Sequence, residues 1–271
     1  MLVPPPTGAI DLSSGQIITW VNAVLLPFFR VAALMMTAPL LGTRAIPIRI
    51  RMAFAILVTF VIAPTLPPVP PLDPLSPEMV LTIFNQILVG VAMGFTLKLV
   101  FTAVELGGQI GGQLMGLGFA SLMDPQNGVP VPIVSQFYNL LVTLLYLVLN
   151  GHLFALQALA ESFHTLPIGP TGPVPETWWD VTIWGGTLFR GALLIALPAI
   201  GALLLVNVIF AVATRATPAF NVFAIGFPIT LGLGLFLIIE TLPILVGQVE
   251  HLLRDAFEVV RGLPMLPSKD G

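Results

Sequence analysis

Five polar residues pose the first chemical question in this sequence: Lys98, Thr102, Glu105, Gln109 and Gln113 follow one another in steps of four, three, four and four. Steps of that size place them on one face of an α-helix. Charge turned toward lipid is costly, so the face must meet protein or water. One reading is a buried network that sets helix register; the other is a seam facing a pore or a partner. Arg30, inside LLPFFRVAALMMTAPL, and Glu240, inside LFLIIETLPIL, each stand alone in an apolar run. A proton relay needs more than two scattered members, so both ions are assigned structural places in subunit contact.

Groups suited to bond-making chemistry are sparse. His152, His164 and His251 lie apart, without HExxH or another metal-ligand spacing, and are expected to be interfacial or packed. There is no GxSxG elbow and no GxxxxGK[ST] loop to cradle phosphates. The stretch GLGFAS from Gly116 lacks the third glycine of a dinucleotide fingerprint and any strand before it. No catalytic, cofactor or metal site is expected, and the chain is read as a non-enzyme.

The polar face runs into GGQIGGQLMGLGFASLMDPQNG. Gly107 and Gly111, Gly108 and Gly112, and Gly112 and Gly116 are pairs of small residues four apart, which let helices approach closely in apolar surroundings. A single such pair, as at Gly90 and Gly94, reads as plain packing. Three overlapping pairs, each glycine weakening a helix by about 1 kcal/mol, also suit a deformable hinge of Gly107, Gly108, Gly111, Gly112, Gly116 and Gly118. The residues alone leave both readings open. A polar seam leading directly into this segment favours the pore- or partner-facing reading of the stripe.

What positions these residues is set by composition. The chain has 271 residues, of which 56% are hydrophobic and only 8% charged, too little charge for a water-facing surface. Ten cations against thirteen acids, with no basic tract, argue against nucleic-acid binding. Cysteine is absent, which excludes disulfides and thiolate metal sites. The opening MLVPPPTGAIDLSSGQ has neither basic n-region nor apolar core and does not read as a cleaved signal peptide. Six apolar runs bounded by proline or charge are long enough to matter to a bilayer: Ile17 to Leu41, Met52 to Leu66, Met79 to Val104, Ile133 to Ala160, Thr187 to Ala213 and Val222 to Val249. The second is short for a crossing. Prolines 27, 39, 198, 228 and 243 lie in or beside these runs, so bent helices are expected.

Short loops rich in Lys and Arg stay in the cytoplasm. Arg44, Arg49 and Arg51 place the first connector inside, and Arg215 suits another inside connector. Six simple crossings would then leave the tail outside, although it carries Arg254, Arg261 and Lys269. Either one run is a re-entrant hairpin, or partner subunits shelter the helices from lipid.

Four long blocks resemble the FliR family of the flagellar export apparatus and its T-subunit counterparts in injectisomes. They are LPFFRVAALMMTAPLLGTRAIPIRIRMAFA, GGQIGGQLMGLGFASLMDPQNGVPVPIVSQF, LNGHLFALQALAESFHTLP and LLLVNVIFAVATRATPAFNVFAIGFPITLGLGLF, in that order over nearly the whole chain. The GFP at Gly226 to Pro228, after NVFAI, resembles the flagellar branch. The resemblance implies an all-α membrane protein of bent and re-entrant hairpins, one domain over residues 1–271. A FliP-like part would cover about residues 1–185 and a FliQ-like hairpin about 186–260. It further implies a helical, pore-forming cone built with several FliP and FliQ subunits in the bacterial inner membrane, at the flagellar basal body. Much of that cone would stand above the bilayer plane, with FlhB at its closed base and unfolded flagellar proteins passing through.

In the family, the loop matching Gly112 to Asp124 is a plug that narrows the pore. Carried over, Met115, Leu117, Phe119, Leu122 and Met123 are the plug contacts the resemblance implies, and flexible Met and bulky Phe suit a seal that can give way. A self-sufficient secondary transporter is the alternative from another class. It would need an internal repeat and more ionisable residues than this chain supplies.

Overall fold

A computed structural model describes residues 14–43, 46–118, 133–217 and 222–263. Among them lie seven α-helices and no strand: α1 (Ser14–Thr37), α2 (Ile48–Ile62), α3 (Pro77–Leu114), α4 (Ile133–Val148), α5 (Gly151–Thr165), α6 (Pro175–Ala216) and α7 (Val222–Gly262). A 3-10 turn, Ala63–Thr65, closes α2. Each apolar run expected from the sequence is helical, and α6 and α7 outrun their expected bounds. The α4 and α5 axes differ by 62° across a short break, so the fourth run is a bent pair.

Local chemistry accounts for the ends. Ser76 caps α3 by accepting from the Met79 N–H at 3.2 Å, Pro77 occupies the first turn without needing a donor, and Glu78 suits the positive end of the helix. Pro175 and Glu176 repeat the proline and the acid at α6, where Val174 supplies no side-chain cap. At its far end α3 stops in a Schellman motif. The Leu117 N–H reaches the Gly112 carbonyl at 3.1 Å, the Gly116 N–H reaches the Gln113 carbonyl at 3.0 Å, and Gly116 takes the left-handed conformation with φ of 83°. The α4–α5 bend turns on Asn150, also left-handed at φ 55°. The α-helix runs on through Pro27, Pro198, Pro228 and Pro243, so the sharp break comes at Asn150 and not at a proline.

Helix α3 is the axis of the fold, packing against α1, α4, α6 and α7. Of its most apolar stretch, 67% is buried, against 11% for α2, 22% for α6 and 17% for α7. The close approach needs glycine. A Cβ on Gly90 would overlap the Arg30 carbonyl of α1, and one on Gly94 would overlap Thr37. A Cβ on Gly107 would stand 2.8 Å from Ile195 Cγ2 of α6, and one on Gly108 would stand 3.0 Å from Ser135 Cα of α4.

The passes alternate in direction. Asn22 near the start of α1 donates to the Leu72 carbonyl at 2.8 Å, and Asn85 near the start of α3 donates to the Pro170 carbonyl before α6, also at 2.8 Å. That end therefore gathers the 66–76 and 166–174 connectors and the C-terminal part of α7, where Arg261 lies 3.6 Å from Glu161 and over the Phe154 ring. Arg49, Arg51 and Arg215 lie at the other end. Six alternating passes thus keep Arg254 and Arg261 opposite the remaining described loop cations, and the charge conflict read from the sequence persists in the fold.

Replacing Gly107 with Val should force α6 off α3 and lower the recovery of folded protein from detergent extracts. Gly111→Ala should leave recovery unchanged, because among the described residues no atom beyond its own stretch of helix lies within 4 Å of the space its Cβ would take. Fluorescence-detected size exclusion of the two tagged variants measures the difference.

Candidate functional site

Arg30 is the most enclosed ion of the fold, with none of its surface exposed. Its Nε donates to Gln86 Oε1 of α3 at 2.8 Å. Its Nη1 donates to the Ser162 carbonyl at 2.8 Å and to Ser162 Oγ at 3.1 Å, while Nη2 donates to the Leu166 carbonyl at 3.0 Å. The guanidinium also sits 4.3 Å from the centre of the Phe163 ring. No carboxylate takes part in these contacts. The charge is met at the C-terminal end of α5, where the helix dipole is negative: the Ser162 carbonyl also accepts from the Leu166 N–H at 3.0 Å, and the Leu166 carbonyl lies just past the helix. Arg30 of α1 is thus a cap for α5, steadied by α3 and by a cation–π contact. It was expected at a subunit contact; it is instead a clamp within the chain, because every group it touches is internal.

The stripe on α3 is placed differently. Lys98 and Gln113 are exposed, and Thr102, Glu105 and Gln109 are partly so. Among the described residues Lys98, Glu105, Gln109 and Gln113 have no side-chain hydrogen bond or ion pair, and Thr102 donates only to the Lys98 carbonyl at 3.1 Å. The stripe is therefore no buried network of this chain. It is the open strip of a helix whose other sides are closed by glycine contacts. Glu240 is exposed among the apolar side chains of α7, and Arg190, which the sequence reading did not single out, is exposed on α6.

The glycine segment divides by role. Gly107 and Gly108 are packing points against two different helices, inside a helix unbroken to Leu114. Gly111 and Gly112 are buried in the same helix, and Gly116 ends it. The structure thus shows packing for the first pair and a left-handed helix end at Gly116. Met115, expected as a plug contact, is only 1% exposed. A Cβ on Gly234 of α7 would lie 3.0 Å from Met115 Sδ, and Thr230 Oγ1 of α7 donates to the Met115 carbonyl at 3.4 Å. Met115 thus packs under α7. Leu117 is half-buried against the same core. Phe119, Leu122 and Met123 lie outside the described residues.

His152, His164 and His251 are exposed and separate, and the described residues hold no group of three or more His, Asp or Glu side chains placed to bind a metal. What the arrangement offers is surface: helices apolar on their outer sides, carrying a few ions that no described residue neutralises.

Comparison with known proteins decides the family. The profile of "Bacterial export proteins, family 1" matches residues 21–256. The chain belongs to the FliR family of bacterial export proteins. It is 35% identical to the flagellar biosynthetic protein FliR of Escherichia coli (strain K12) over 261 residues, covering 95% of this chain and 100% of that protein. The FliR of Aquifex aeolicus (strain VF5) is 30% identical over 87% of this chain and 91% of its own length. The FliR of Bacillus subtilis (strain 168) is 26% identical over 92% and 96%. Within this FliR-family chain, sequence reasoning missed Gln86, Ser162 and Phe163 as partners of Arg30. A polar Asn85-Gln86 pair inside an apolar helical run was the visible sign.

Arg30→Met should strand the Leu166 carbonyl and Gln86 Oε1 in a dry site and cost about 3 kcal/mol. Arg30→Lys should recover only part of this, since one ammonium cannot span Gln86, Ser162 and Leu166. Thermal midpoints of the detergent-extracted protein give the order: native, then Lys, then Met.

Proposed function

We propose that this chain is a non-enzymatic subunit of the flagellar type III export gate, forming with FliP and FliQ subunits the channel through which unfolded flagellar proteins cross the inner membrane. FlhB is the further partner at the base of the channel, and the flagellar basal body is the location. Membership of the FliR family makes the chain a component of the flagellar export apparatus, and its five to six long apolar helices make it a membrane protein.

The observation that carries the reading is the outer surface of α6 and α7. Only 22% and 17% of their most apolar stretches are buried, and Arg190 and Glu240 stand exposed on the same helices. A charge in an apolar face is costly against lipid and is relieved by a protein partner that supplies a counter-ion. The persistent charge conflict between the ends argues the same way, because helices sheltered by other subunits need not follow the loop rule for lipid-crossing helices. The α6–α7 hairpin is the FliQ-like part in this reading. The boundary expected near residue 185 falls inside the continuous α6, so the hairpin begins at Pro175.

In this reading the plug is the loop of Gly112 to Asp124, with Met115 packed under α7 and Gly116 in the left-handed turn that ends α3. A hydrophobic constriction excludes water only while its bulky side chains are present.

Affinity purification of the tagged chain from its native membranes should bring down FliP and FliQ counterparts. Recovery as a stable, isolated monomer overturns the reading. Deleting residues 117–123 should leave that co-purification intact and make the membrane leak ions. Gly116→Val should do the reverse, lowering export without leakage, because a branched residue opposes φ of 83°. Ion flux and secreted flagellin report the two effects.

A further inference from the structure

The open strip of α3 is longer than its polar part. Val80, Phe84, Ile87, Val91 and Phe95 precede Lys98 in steps of four, three, four, four and three, the same rhythm that the polar residues continue to Gln113. All five are exposed, Val80 at 67% and Phe84 at 56%, although the rest of α3 is the best-buried part of the fold. The result is one seam of ten positions, about 50 Å long at 1.5 Å per residue. Its first half is apolar and its second half is polar.

No uniform medium suits both halves. Lipid would leave Lys98 and Glu105 charged in an apolar phase, and a water channel would wet two phenylalanines and three branched aliphatics. A single solid body that changes polarity at the same height suits both. Spacing by threes and fours on a helix is the spacing that receives another helix. Lys98 and Glu105 add a vector. They sit two turns apart on the same face, about 10 Å along the axis. Among the described residues the only ion pair is Arg261 with Glu161, so both charges are open to a neighbour.

We infer that the outer strip of α3 is the seat of one helix from a neighbouring subunit of the export assembly. That helix is apolar where it faces Val80 to Phe95, and it carries an acid opposite Lys98 and a cation opposite Glu105. The inference deepens the function proposed above, and it decides between the two readings of the polar stripe in favour of a partner over a pore lumen.

The chain contains no cysteine, so single cysteines can be read without background. In native membranes holding the assembled complex, cysteines at Phe84, Phe95, Thr102 and Gln109 should all resist a membrane-impermeant maleimide, then react once the complex is dissociated. Benzoyl-phenylalanine at Phe84 and at Thr102 should yield, on illumination, an adduct with the same neighbouring subunit. Labelling at Thr102 and Gln109 but not at Phe84 means an aqueous channel and overturns the inference. Adducts with lipid alone, or within the chain alone, overturn it equally. Lys98→Glu and Glu105→Lys should each reduce recovery of that neighbour about tenfold. The double variant, which preserves net charge, should not restore it, because both charges would then face like charges; restoration overturns the vector. Co-purification of the unaltered tagged chain with export subunits is the separate test of the function itself, so a failed seam and a failed function give different results.

Discussion

The close approach of α3 to its neighbours is the constraint on which the rest of the fold depends. Between helices in apolar surroundings there is little hydrophobic gain left to bring them together, and association relies on backbone proximity and matched packing. Here the proximity comes from Gly90 and Gly94 toward α1, Gly107 toward α6 and Gly108 toward α4. Each glycine removes one Cβ at a point where another helix presses against the backbone. Four such points on three sides leave α3 one free strip, and that strip is where the polar residues collect.

The Arg30 clamp shows how the chain handles a charge it cannot expose. A guanidinium has five donors in a fixed plane, and the end of α5 offers the Ser162 and Leu166 carbonyls at the negative end of its dipole, so one residue answers two needs. Gln86, Ser162 and Phe163 complete the enclosure from α3 and α5. The effect is to tie the bent α4–α5 pair to α1, which would otherwise hold it by apolar contact alone. Lysine, a point charge on a flexible stem, does not offer the same fork.

At the opposite end of α3 the fold combines firmness with freedom. Met115 is locked between the helix end and Gly234, while the next residue, Gly116, is left-handed and closes the helix through its backbone. A rigid root beside a permissive joint is a workable base for a movable plug. The large uncovered faces of α2, α6 and α7 have their own logic in an assembly. They carry Arg190 and Glu240 exposed among apolar side chains, and the proposed assembly would supply their counter-ions.

What the sequence determined by itself is whatever rests on local periodicity and composition. Six apolar runs, the helical character of all of them, the common face of Lys98 to Gln113 and the family blocks were legible because period and order need no third dimension. Bends were less legible. Pro39 lies in the turn after α1 and the other four prolines lie inside unbroken helices, yet the 62° break between α4 and α5 falls at Asn150. Tertiary structure alone decided what each face meets. It turned Arg30 inward to the end of α5 and left the stripe open. It also assigned neighbouring glycines to different helices and put Met115 under α7. A period of 3.6 residues says which side chains stand together on a helix; what they face depends on contacts as far as 136 residues away along the chain, as from Arg30 to Leu166.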